Sequence, residues 1–165
     1  MNNVASHYLE ISAAIKDILE TVEGIGKVLS THRYTRQPES FREFFTSLVP
    51  SGSAQVNAWL ISRVRVPIET KGLPIREMRW RHQFVINGYT SLRDADGSEA
   101  AFQQLVDRVI DALLPHKRLN VPDYVEYANE PQCTQINHDW FGPVLCHHCV
   151  ISLEVLQRDR VEWVD

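Results

Sequence analysis

The sequence has no apolar run near the roughly 20 residues that a membrane-spanning helix needs, so no segment is expected to cross a bilayer in that form. Its opening, MNNVASHYLE, lacks the basic and apolar regions of a signal peptide, and the chain is expected to be cytosolic when made. Cysteine is scarce. Three residues, an odd number without a secretion signal, read as reduced thiols rather than a disulfide framework. Neither charge sign dominates, and a net charge of -4 gives no global attraction to nucleic acid or anionic lipid. There is no repeat or low-complexity tract. Gly24 and Gly26 lack the third glycine of a dinucleotide fingerprint and follow a helical pattern into a strand, the reverse of that motif.

What is present is a globular composition: 44% hydrophobic and 23% charged residues argue against disorder and supply a core for one domain. The core is expected over about residues 4–156, with a projecting loop at 66–77 and a charged tail at 158–165. Val4, Tyr8, Ile11, Ile15, Ile18 and Val22 step by three and four, predicting a first helix that Gly24 and Gly26 end. A strand from Lys27 to Tyr34 follows. Pro38 suits a helix start, and Phe41, Phe44, Phe45 and Leu48 predict a short second helix. A second strand alternates from Val56 to Val66. Pro67, Gly72 and Pro74 then interrupt pairing, so the stretch to Glu77 reads as a long hairpin loop, and loops of about a dozen structureless residues are usually functional or disordered.

The stretch from Arg79 to Leu114 joins a strand to a helix. Trp80, His82, Phe84 and Ile86 fall on one strand face, with Arg79, Arg81, Gln83 and Asn87 on the other. Phe102, Leu105, Val106, Val109, Ile110 and Leu113 form the apolar stripe of the third helix. Between them Asp96 is expected as N-cap with Glu99 reaching back, a capping box. Pro115 to Glu130 reads as irregular, and two last strands are predicted at Gln132 to His138 and Val144 to Leu156. The expected fold class is α+β, with a mixed sheet of four to five strands packed against two main helices.

Several groups bear on chemistry. Cys146, His147, His148 and Cys149 are zinc-ligand types, but on a strand Cys146 and His148 point opposite to His147 and Cys149. A site would need Cys133 or His138 to join Cys146 and His148. A Cys149 nucleophile paired with His147 lacks an orienting acid and an oxyanion hole. Asp94, Asp96, Gly97, Ser98 and Glu99 open like a calcium loop, yet its twelfth position is Leu105, so a helix cap is the better reading. Basic residues gather at Arg63, Arg65, Lys71, Arg76, Arg79 and Arg81, a candidate surface for an acidic partner or a phosphate backbone. Trp59, Trp80 and Trp140 read as packing residues, and Trp163 as a docking anchor in the tail.

The succession GIGKV, FREFF, AWLISR, RHQFVINGYTSLRDADGSE and FGPVLCHHCVISLEV, spread between about Ile11 and Val155, resembles tail terminator and tail-completion proteins of long-tailed bacteriophages and prophages. The resemblance implies a structural virion protein without catalytic residues, cofactor or bound metal. It implies assembly into a ring, usually of six subunits, that caps the tail tube and meets a head-side connector, with DNA passing through the lumen. Such a protein would be made in the host cytoplasm and end in the virion. Contacts in that class come from loops and termini, here Val66 to Glu77 and Arg158 to Asp165. The remaining readings are another neck component, such as a head-completion or stopper protein, and a metal-binding enzyme or regulatory domain using Cys146 and His148.

Overall fold

The computed structural model describes residues 7–31, 45–48, 54–71, 76–119, 121 and 125–161. Helix α1 spans His7–Leu19 and buries Ile11, Ile15 and Ile18 of the expected stripe together with Leu19, while Val4 lies outside the described residues. Gly24, at φ +82°, makes the left-handed turn out of it, a conformation that costs glycine nothing. Strand β1 follows at Lys27–Leu29, shorter than expected, and residues 32–34 lie outside the described set. Of the expected second helix, Phe41 and Phe44 also lie outside it. Phe45 is helical, and Thr46–Leu48 directly after it is strand, β2, pairing antiparallel with Ala54–Val56 of the next strand, so Leu48 does not belong to the helix. The reason is tertiary: β1 occupies only the Ala58 to Leu60 stretch of that edge, leaving residues 54–56 to β2. Phe45 then packs edge-on to Phe141 at 4.9 Å, a contact that local propensity does not encode.

The fold is α+β, a mixed sheet packed against two helices. Strand β3 is Ala54–Arg65, β4 Ile68–Lys71, β5 Arg76–Ser91, β6 Val125–Phe141 and β7 Val144–Val161. The sheet of seven strands runs β1-β3-β5-β7-β6, with β2 added on β3 and β4 on β5. The β1–β3 pair is parallel and the other pairs antiparallel. The five expected strands are the main path, and the short β2 and β4 are additions.

Three expectations need correction. The stretch 66–77 is not a structureless loop: Ile68–Lys71 pairs with β5 from Trp80 to Glu77, filling the edge that β3 vacates after Arg65. Pro67 breaks the line as expected, lacking an N–H, but its carbonyl accepts from Arg81 N at 3.0 Å. The irregular span before Gln132 gives way at Val125, where β6 begins. Pro131 is tolerated there because β6 is an edge strand whose register shifts between Asn129 and Gln132. The tail is strand as far as Val161, since β5 extends to Arg76 and offers β7 partners throughout.

The expected capping box is absent. Asp94–Asp96 forms a 3₁₀ turn, and Gly97 at φ 65° is the residue before helix α2, Ser98–Leu113, with no side-chain capping bond. Ser98 Oγ instead accepts from Arg93 N at 2.8 Å. A positive φ demands glycine where the sequence reading had put aspartate, one position too early.

Helices α1 and α2 cover one sheet face, burying Phe102, Leu105, Val106 and Val109 of α2 against Trp59, Ile61, Phe84, Ile86, Ile151 and Val155. The opposite face carries a smaller cluster at one end, Phe45, Val56, Ala58, Phe141 and Cys146. Trp59 is fully buried and lies across Gly88, its direct partner on β5. A Cβ on Gly88 would meet Trp59 Cζ3 at 2.5 Å and Cη2 at 2.7 Å. Gly88→Ala is therefore expected to cost about 1–3 kcal/mol through overpacking, read as a lower urea midpoint at unchanged slope.

Candidate functional site

The face of the sheet turned away from the helices carries the charged residues. On β5 the period of two places Glu77, Arg79, Arg81 and Gln83 there, and the pairing sets Arg158, Leu156 and Glu154 of β7 beside them. Arg81 Nη1 donates to Glu154 Oε1 at 2.9 Å and its Nε lies 3.6 Å from Glu69 of β4. Gln83 donates to the other Glu154 oxygen at 3.1 Å. Arg79 stands directly opposite Arg158, a pairing of like charges that Glu77 relieves: its Oε1 is 2.7 Å from Arg79 and 3.9 Å from Arg158. Arg158 also donates to Glu126 of β6 at 2.9 Å. The basic cluster read from the sequence is thus one half of a lattice of alternating sign that crosses β4, β5, β7 and β6.

Arg65 and Lys71 share this face, opposite Gln83 and Glu77, and both are exposed. Arg63 does not. A β-bulge between Arg63 and Arg65 inserts one residue, so the two point to opposite faces. Arg63 lies on the helix side, its guanidinium 5.0 Å over the Tyr8 ring and its Nη1 3.4 Å from His82 Nδ1. Arg76 pairs through its backbone with Val161. The side chain of Arg76 and all of Trp163 lie outside the described residues.

Sequence reading found the cations and missed their acidic partners. One signal was available: Glu154 interrupts the apolar run VISLEVL, and a carboxylate there, 8% exposed, requires a cation across the sheet. Glu69 and Arg158 fall in stretches that read from the sequence as loop and tail, where no facing partner can be inferred.

The Cys146 to Cys149 segment alternates as strand geometry requires. Cys146 and Cys149 are both fully buried, on opposite faces, and burial pushes each thiol up to about 12, so neither is a thiolate near neutral pH. His147 Nε2 is 2.8 Å from Ser98 Oγ, while the His148 nitrogens contact Asn137 Oδ1 at 2.8 Å and Asn87 Oδ1 at 3.0 Å, tying three strands. Cys133 and His138 point to the helix side, Cys133 packing on the main core and His138 against His147 at 5.2 Å between rings. They therefore do not join Cys146 and His148. Among the described residues no group of three or more His, Cys, Asp or Glu side chains could hold a metal ion, and no helix is long and apolar enough to cross a membrane.

Burial lowers the proton affinity of His147 and His148, and brings His82, which is fully buried, to about 4. The native state holds His82 neutral near neutral pH, while the unfolded chain charges it near 6.5. Stability should accordingly be full above about pH 6.5 and decline as pH falls towards about 4, with His82 contributing at most about 3 kcal/mol. Urea unfolding across that range checks this, and His82→Phe should flatten the slope. Set beside known proteins, the chain matches no protein-family model and no curated sequence.

Proposed function

We propose that the chain is a structural subunit of a bacteriophage or prophage tail neck, of the tail terminator kind, which closes into a ring on the tail tube and ends its growth. The observation that carries this reading is the lattice of alternating charge on the free sheet face. Its members hold one another in register within the subunit, and half-exposed pairs of this kind exchange partners at little cost when a copy with complementary charge docks. The segments that resemble the tail proteins support it further. AWLISR lies in β3, RHQFVINGYTSLRDADGSE runs from β5 into α2, and FGPVLCHHCVISLEV from the end of β6 along β7, so the likeness falls mainly on three neighbouring strands of the sheet. A heterologous contact repeated around an axis gives a closed ring where its rotation closes and an open filament where it does not. The partners are other copies of the chain, the tube protein and a head-side connector, and the passing DNA is a transient neighbour. The reading assigns no catalytic residue, cofactor or metal.

Electron microscopy of the purified chain tests it, with a closed ring as the expected result. Replacing Arg79 and Arg81 together with alanine should leave the monomer folded and reduce ring formation roughly tenfold or more, since charge pairs at interfaces contribute on that scale. Unaltered assembly would overturn the role given to this face. In infected cells, loss of the protein should give overlong tails; tails of normal length detached from heads would place it at the stopper position instead.

A further inference from the structure

At the end of the sheet where β3 begins and β5 ends, a cavity of about 280 Å³ opens between the first turns of α2 and the turn that leaves α1. Part of its wall is apolar. Val56, Phe102 and Leu105 supply it and are 2%, 2% and 5% exposed. Two arginines also line the cavity, Arg93 from the link before α2 and Arg108 from the helix itself.

Neutral oxygens help to place both guanidiniums. Gln55 Oε1 accepts from Nη1 and Nε of Arg93, each at 3.0 Å. Arg108 Nε donates to the Glu23 carbonyl at 3.2 Å, and its Nη2 packs over Gly24, where a Cβ would lie 3.4 Å from it. Among the described residues no carboxylate forms an ion pair with Arg108. A carbonyl fixes the position of a cation without cancelling its charge.

Other groups around the cavity also favour an anion. Ser91 Oγ accepts from Val56 N at 2.7 Å, so its own proton is left for an acceptor. The first turn of α2, with Ser98 on the cavity wall, adds the partial positive charge of a helix N-terminus. One carboxylate opposes them, Asp96, whose Oδ2 is 3.9 Å from Arg93 Nη1. That distance is beyond a hydrogen bond, and the Asp96 side chain is 67% exposed, so water weakens its hold.

We propose that this cavity binds a small phosphate monoester, with the phosphate held by Arg93 and Arg108 and the organic group against Phe102 and Leu105. Such a phosphate carries a charge of about −1.5 to −2 near neutral pH, enough to meet two guanidiniums and to compete with the single charge of Asp96. Guanidinium forks match its oxygens in pairs. The volume sets the size of the rest: it lies just below the usual range for small-molecule sites and suits one ring or a short chain. The site is built within one subunit and does not depend on the ring reading.

Isothermal titration of the full chain with phenyl phosphate tests it. Saturable binding with a Kd below about 1 mM is expected, weakening as salt is added. Arg108→Gln and Arg93→Gln should each lower the affinity roughly tenfold or more, while Arg118→Gln, away from the cavity, should leave it unchanged. Arg108 is exposed, so its variant should keep the wild-type urea midpoint, and it decides the matter if Arg93→Gln fails to fold. Benzyl alcohol, which has the ring without the charge, should not bind. The proposal is overturned if phenyl phosphate does not saturate, if benzyl alcohol binds as well, or if Arg108→Gln leaves the affinity unchanged. Tighter binding of a phosphotyrosine peptide would place the phosphate on a partner protein and overturn the small-molecule assignment. A chain that proves never to form rings would defeat the proposed function and leave this binding intact.

Discussion

The unbroken antiparallel pairing of β5 with β7, from Arg76 opposite Val161 to Ser91 opposite Cys146, sets the side on which every other group stands. Because side chains alternate with a period of two, a slip of one residue would carry Phe84 and Ile86 out of the core and bring Arg81 and Gln83 under the helices. The cost of that exchange, several buried apolar side chains at about 1.5–3 kcal/mol each, is what holds the register. The charged lattice and the buried hydrogen bonds that link Arg63, His82 and Gln157 are therefore two sides of one constraint. Trp59 across Gly88 adds a second lock, since only a residue without a side chain lets the indole lie flat on the strand.

Irregularities appear where this pairing stops governing. The bulge at Arg63 and Arg65 lies where β3 ends and β4 takes over the β5 edge, and it separates two arginines that are neighbours in sequence into two environments. One remains exposed beside Gln83. The other is held by Tyr8 and His82. On the far side, β6 accommodates Pro131 and three register shifts because, among the described residues, no strand pairs with its outer edge. Bulges there also blunt an edge that would otherwise invite unwanted strand addition.

Much of this was legible in the residues. Alternation from Trp80 to Ile86 and the three-and-four spacing of α1 and α2 mark buried faces that the packing respects, because one apolar face per element is enough to specify each. Thr46–Leu48 was not legible, since its strand state depends on an edge of β3 that another element leaves free. The strand at Ile68–Lys71 was hidden by Pro67, Gly72 and Pro74, which mark its limits without announcing a strand between them. In the candidate site, the cations were visible as a cluster, but the bulge that removes Arg63 from it has no local sequence mark. Glu69, Glu126 and Arg158 could be recognised as partners only once β4, β6 and the end of β7 were in place. The hydrogen bonds that join His7 to Gln157 and Gln157 to His82 were invisible for the same reason, since they link residues far apart along the chain.

The sheet order has a consequence for how the protein comes into being. β7 sits between β5 and β6, yet it is the last of the described strands along the chain. During synthesis the nascent protein holds β1 to β6 and helices α1 and α2 while the seam between β5 and β6 is still empty. Its apolar residues must wait, unpaired and open to other chains, until Val144 to Val161 emerges and closes the gap. A fold whose centre arrives last is joined by contacts distant in sequence, and such contacts form slowly. Vulnerability during manufacture is thus built into the same strand that gives the finished molecule its register.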